Sequence, residues 1–241
     1  MKLLISVRSV DEALLAAEGG ADFIDLKEPG RGALGGLPVD TIREIVGALR
    51  WINKRRSISA TIGDVSMDDL DHIAARVDAV GACGVDYVKV GVERVPQARA
   101  VLDTLAVSGW PIVPVFIADK GLDLADVRYA CALGFPGVMA DTFDKLAGSL
   151  FDAVPMEDLR RFVATVRAAG PLAGLAGALR TEHEPALRAL DPDFAGFRTA
   201  VCVGDRSGAL DAERLRTLAA QMRREPIPDA GAPHQSSSNR R

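Results

Sequence analysis

The sequence predicts an α/β protein folded as one (β/α)8 barrel, a TIM barrel, and three observations predict it. Eight short β-type runs alternate strictly with eight stretches of helical period between residues 2 and 223. The chain has 241 residues, close to the roughly 250 of an ordinary barrel. No G-x-G-x-x-G follows the first run, the fingerprint that a dinucleotide-binding open sheet would carry there.

The elements follow in order. The first strand is 2–7 (KLLISV), too short an apolar run for a signal-peptide core and closed by Arg8 and Asp11. Helix 10–18 opens behind the cap-like Ser9 and stops at Gly19-Gly20. Strand 22–27 and helix 39–49 come next, then strand 57–62 and helix 67–81 behind Ser66. Strands 87–90 and 112–118 are followed by helices 96–107 and 123–133, the latter ending at Leu133-Gly134. Strand 137–140 precedes helix 156–168, strand 172–176 precedes helix 182–190 behind Thr181, and strand 194–198 precedes helix 212–223. This makes residues 1–223 one barrel domain. Residues 224–241, rich in Pro, Ser and Ala without apolar period, are expected to be a disordered tail.

Composition narrows the function class. Apolar residues at 48% and charged residues at 26% exclude a disordered or membrane composition, and a net charge of −4 argues against a nucleic-acid partner. The three cysteines, Cys83, Cys131 and Cys202, are odd in number and have no metal-type spacing, which fits a reduced cytoplasmic protein. His72, His183 and His234 form no triad or metal pattern, so no metal is expected. Apolar residues on the helix faces permit a homo-oligomer.

The chemistry is expected where barrels keep it, at the carboxyl ends of the strands. In "FIDLK", alternation puts Asp25 and Lys27 on the side opposite Ile24 and Leu26. Lys89 stands in "YVKVGV" of the fourth strand, and Asp141 follows the sixth in "MADTFDKLAG". All three strands are even-numbered, so their inward residues meet at one level. A buried ammonium is costly unless paired, and Asp25 and Asp141 are the available partners. Lys145, four residues after Asp141, reaches the same mouth; Asp144 is a weaker acid candidate in that loop.

Lysines crowded together and partly desolvated lose protons readily, attack carbonyls as free amines and form Schiff bases, while a second lysine or carboxylate takes a proton from the adjacent carbon. Such an iminium is its own electron sink, so no organic cofactor is demanded. Glycines and arginines at the seventh and eighth strands, "GLAGALR" with Gly174, Gly177 and Arg180, and "GFRTAVCVGDRSG" with Gly196, Arg198, Gly204, Arg206 and Gly208, fall where barrels hold phosphate on backbone N–H groups. The loop "EPGRGALGG" adds Arg31 and four glycines, fitting a mobile cover, a second phosphate contact or a plain long loop.

The segments "ISVRSVDEALLAAEGGADFIDLKEPGRGALGG", "YVKVGV", "DTFDKLAGSLFD" and "GLAGALR" resemble the (5-formylfuran-3-yl)methyl phosphate synthase family, also called 4-(hydroxymethyl)-2-furancarboxaldehyde phosphate synthase, over nearly the whole chain to about Leu218. The resemblance implies a TIM-barrel lyase that condenses two molecules of glyceraldehyde 3-phosphate into a furan aldehyde phosphate, releasing phosphate and water, for methanofuran or methylofuran biosynthesis in one-carbon metabolism. It implies Lys27 as Schiff-base former and Lys89 as proton acceptor, with Asp25, Asp141 and Lys145 beside them. Two other readings stand beside it. One is a class I aldolase or decarboxylase-type barrel acting on another sugar phosphate, whose D-x-K-x-x-D pattern is incomplete here because residue 30 is Gly. The other is a barrel that only binds a sugar phosphate.

Overall fold

A computed structural model describes residues 1–32, 34–52 and 56–223, so the expected tail at 224–241 lies outside the described residues. Eight strands, β1 (Lys2–Val7), β2 (Phe23–Leu26), β3 (Ser57–Thr61), β4 (Tyr87–Val92), β5 (Ile112–Ile117), β6 (Gly137–Asp141), β7 (Leu172–Leu175) and β8 (Phe194–Phe197), pair in parallel in chain order. β8 pairs back onto β1, which closes the barrel. The helices are α1 (Val10–Gly19), α2 (Val39–Trp51), α3 (Leu70–Gly81), α4 (Ala98–Ala106), α5 (Leu124–Ala132), α6 (Leu150–Ala153), α7 (Met156–Ala169), α8 (Glu184–Leu190) and α9 (Ala212–Arg223). Among the described residues, no helix is long and apolar enough to cross a membrane.

Local sequence accounts for most boundaries. Ser9 caps α1 by accepting the Glu12 N–H, and Gly20 ends it in the left-handed conformation at φ 103°. α2 buries Ile42, Ile45, Val46 and Leu49, and α7 buries Leu159, Phe162, Val163 and Val166, both on the one-face spacing that packs a helix on a sheet. Three expectations change. Ser66 accepts the Asp68 N–H ahead of α3, but Asp69 is the side-chain cap. Thr181 opens a 3₁₀ turn, Thr181–His183, so the eighth helix begins at Glu184, where Pro185 suits a first turn. α6, one turn long, is too short for a periodic signal.

Two apolar cores result. The larger lies between the sheet and the helices; the smaller fills the barrel interior with Leu4, Phe23, Leu34, Val113, Val115, Ile117, Met139, Ala176 and Phe194. Gly174 belongs to the inner packing: a Cβ there would stand 2.1 Å from the Phe194 ring, whose centroid lies 5.3 Å from that of Phe23. Above this apolar floor the interior turns polar.

Candidate active site

Strand register builds the polar layer. Ser6 of β1, Asp25 of β2 and Ser59 of β3 are register partners, as are Thr61 of β3 and Lys89 of β4. Neighbours in parallel register point to the same face, so an aspartate inside the barrel acquires a serine on either side. Asp25 is fully buried and accepts from Ser59 Oγ at 2.6 Å and from Ser6 Oγ at 3.4 Å. Lys89 Nζ lies 3.1 Å from Asp25 Oδ1 as an ion pair without the angle of a directed hydrogen bond. Its side chain is only 2% exposed, and that burial pushes the ammonium below the ordinary lysine range; Asp25 opposes the shift and Lys27 adds to it.

A second cluster lies at the carboxyl ends of β2 and β6. Lys27 follows β2 by one residue, with its N–H bonded to Val7 O at 3.0 Å, and its ammonium is 3.7 Å from Asp141 Oδ2. Asp141 is the last residue of β6; its Oδ1 accepts the Lys145 ammonium and, at 2.8 Å, the Thr142 N–H. Burial would raise the Asp141 carboxyl, but Lys145, Lys27 and Lys89 together hold it down at about 2. Burial brings Lys145 down to about 8 against the opposing pull of Asp141, helped by Lys27 and Arg206. One carboxylate thus serves two amines in a space shielded from water, and a proton has short paths among them.

A cavity connects these groups to the β7 and β8 loops, lined among others by Lys27, Asp141, Lys145, Gly177, Gly196 and Arg206. Gly177 (φ 117°) and Ala178 (φ 44°) place two consecutive residues in positive φ, and the N–H groups of Gly177, Ala178 and Leu179 have no protein acceptor among the described residues. A run of free N–H groups in such a turn can receive an anion. Arg206 is half-buried beside it, with no protein acceptor for its guanidinium among the described residues.

Other expected phosphate residues are placed differently. Arg198 is buried, and its five N–H donors are all occupied by Glu12 (2.5 and 3.0 Å), Ser6 O (3.1 Å), Arg206 O (2.9 Å) and Gly208 O (2.8 Å). It is a clamp between β8 and the start of α1, with no donor left for a ligand. Arg180 is exposed, points to Glu182 at 3.7 Å and stays outside the cavity, as does the exposed Gly204. Gly174 serves the apolar floor, and Asp144 is exposed, its carboxylate accepting the Leu146 and Ala147 N–H groups.

The "EPGRGALGG" loop crosses the mouth. Leu34 is 1% exposed, packs inward over Gly91, and is fixed by its N–H to Asp64 at 3.1 Å; Gly35 O accepts the Thr61 hydroxyl at 3.2 Å. Arg31 is exposed on the outside of this cover. Beneath the loop on the β3–β5 side lies a second cavity, lined by Leu34, Gly63, Asp64, Gly91, Glu93 and Phe143. Sequence reasoning missed Ser6, Ser59, Glu12 and Leu34. The inward parity of positions 6 and 59 could have found the serines; Glu12 and Leu34 depend on contacts remote in sequence.

Comparison with known proteins agrees with this architecture. Residues 3–219 match the family model described as 4-HFC-P synthase. A (5-formylfuran-3-yl)methyl phosphate synthase of Archaeoglobus fulgidus is 36% identical, covering 90% of this chain and 97% of its own. One of Methanosarcina barkeri is 33% identical, covering 92% and 99%. Among solved structures, phosphoribosyl anthranilate isomerase from Thermus thermophilus superposes with a TM-score of 0.62 at 18% identity, covering 92% of this chain and 98% of that one. At such identity the likeness shows the barrel fold alone. With the family model spanning nearly the whole described barrel and these relatives matched end to end, the chain belongs to the 4-HFC-P synthase family.

Proposed function

We propose that the chain is a (5-formylfuran-3-yl)methyl phosphate synthase, a lyase that joins two molecules of glyceraldehyde 3-phosphate with loss of phosphate and water through a lysine imine, for furan carrier biosynthesis. The observation that carries the reading is the pairing of three buried lysines with two buried aspartates at the carboxyl end of a closed barrel. Lys27 is the nucleophile: its amine adds to the triose aldehyde, and the carbinolamine expels water to leave an iminium. Asp141 and Lys145 exchange the proton that this addition frees and the one that water departure requires, Lys145 being suited by its descent to about 8. Lys89, in its amine form, takes the proton from the carbon next to the iminium and gives an enamine, while Asp25 stabilises the ammonium so formed. The enamine either expels phosphate from the next carbon or attacks the second aldehyde. Ring closure and dehydration then yield the aromatic furan, and hydrolysis of the imine frees Lys27. Arg206 and the N–H groups of Gly177, Ala178 and Leu179 hold a substrate phosphate, while Gly196 makes room for the Leu4, Met139 and Ala176 side chains of the interior.

The test is borohydride reduction in the presence of glyceraldehyde 3-phosphate, followed by peptide mass mapping. A triose adduct on the peptide carrying Lys27, absent in Lys27→Arg, together with furan aldehyde absorbance in the unreduced reaction, is expected. Failure to form an adduct on folded protein would remove Lys27 as nucleophile.

A further inference from the structure

We propose that Ser59 is a positioning residue for the base: its hydroxyl occupies the Asp25 oxygen that also faces Lys89, and so weakens the hold of that oxygen on the Lys89 proton. The inference rests on the reading of Lys89 as proton acceptor. Two donors converge on one atom, Asp25 Oδ1, which receives Ser59 Oγ at 2.6 Å and faces Lys89 Nζ at 3.1 Å. Ser6 attends to the other oxygen at 3.4 Å. All four side chains are buried, so no water competes for these oxygens from bulk solvent. A carboxylate oxygen already bonded to a short hydroxyl donor carries less charge for a second donor, and the amine form of Lys89 is favoured accordingly.

The charged groups that bear on Lys89 are Asp25 and Lys27 from β2 and Asp141 from β6. β3 presents Ser59 and Thr61, the latter turned to Gly35 O, while β5 presents the apolar Val113 beside it and β4 itself carries Tyr87 on the same face. Ser59 is therefore the uncharged donor on the oxygen that Lys89 faces, placed to adjust the pair without adding a charge. A residue kept merely to fill this interior would need no hydroxyl, because a buried hydroxyl is costly unless it is bonded.

The experiment is Ser59→Ala, read by NMR titration of ¹³Cε-lysine-labelled protein and by the pH dependence of furan formation. Loss of one hydrogen bond to a charged group shifts a coupled ionisation by about one pH unit. The Lys89 titration and the acid limb of kcat are expected to move up by that amount, with kcat near neutrality falling up to about tenfold and KM holding within about twofold. Ser59→Thr, which keeps the hydroxyl, is expected to restore the wild-type limb. Should the alanine variant fail to fold, Ser59→Cys supplies a weaker donor of similar size and a smaller shift in the same direction. A Lys89 titration unmoved in a folded Ala or Cys variant overturns the proposal. A moved titration with an unmoved rate profile leaves the coupling standing and removes Lys89 as the base.

Discussion

Arg198 and Arg206 stand eight residues apart after the same strand and do opposite work. Arg198 spends every donor inside the protein and keeps Glu12 company, while Arg206 leaves its guanidinium at the edge of the cavity. Arg206→Ala is expected to raise KM for the triose phosphate about tenfold to a hundredfold, the value of a lost hydrogen bond to a charged group, with an unchanged denaturation midpoint. Arg198→Ala leaves the buried Glu12 carboxylate with only the Arg8 N–H at 3.0 Å and the Arg8 guanidinium at 3.7 Å, and is expected to cost up to about 3–5 kcal/mol of stability in urea denaturation. Sequence offers both arginines on equal terms, because the partner that separates them, Glu12, lies 186 residues from Arg198. The lysines were more legible: Lys27 and Lys89 break otherwise apolar runs on a two-residue alternation, which leaves them only the barrel interior.

At the level of elements, the barrel floor repeats one device. Asp22, Asp86 and Asp193 each stand one residue before an even-numbered strand and accept the N–H of Leu3, Ile58 and Ala173 on the preceding odd-numbered strand, at 2.7–2.8 Å. Each satisfies a backbone donor that the staggered sheet would otherwise leave unpaired. The three "ADF", "VDY" and "PDF" steps were visible as strand starts, though their bonding needs the register to be known. Glycine carries a second restriction. Gly174→Ala would drive a Cβ into the Phe194 ring and is expected to lose about 1–3 kcal/mol, the cost of overpacking, and Phe194→Leu in the same chain should recover part of it; thermal denaturation of the single and double variants measures both. Such close approaches fit β7 against its neighbour β8 on the inner face and have no periodic signature.

Across the whole molecule, strict alternation pointed to a parallel α/β fold, which an open doubly wound sheet shares, and the count of eight strand–helix pairs with no G-x-G-x-x-G after the first strand favoured the closed barrel. The glycine-rich cover was less legible: turn residues announced a loop, and nothing local announced that Leu34 would enter the inner core. The buried charges tie stability to pH. Asp141 holds its proton only near pH 2 in the folded chain against an ordinary 3.8, so its contribution is present above about pH 4 and is lost as pH falls toward 2. Urea midpoints measured across that window should drop in the wild type and drop less in Asp141→Asn, whose side chain does not titrate. The mouth has two unlike sides: Lys27, Lys145 and Arg206 line one cavity together with Asp25 and Asp141, while Asp64 and Glu93 line the other beneath Leu34. On the proposed reaction, the cationic side receives the phosphate of the triose held by Lys27, and the carboxylates of the other side repel a phosphate that strays there. An anion entering the mouth is thereby steered to the side where the lysines stand.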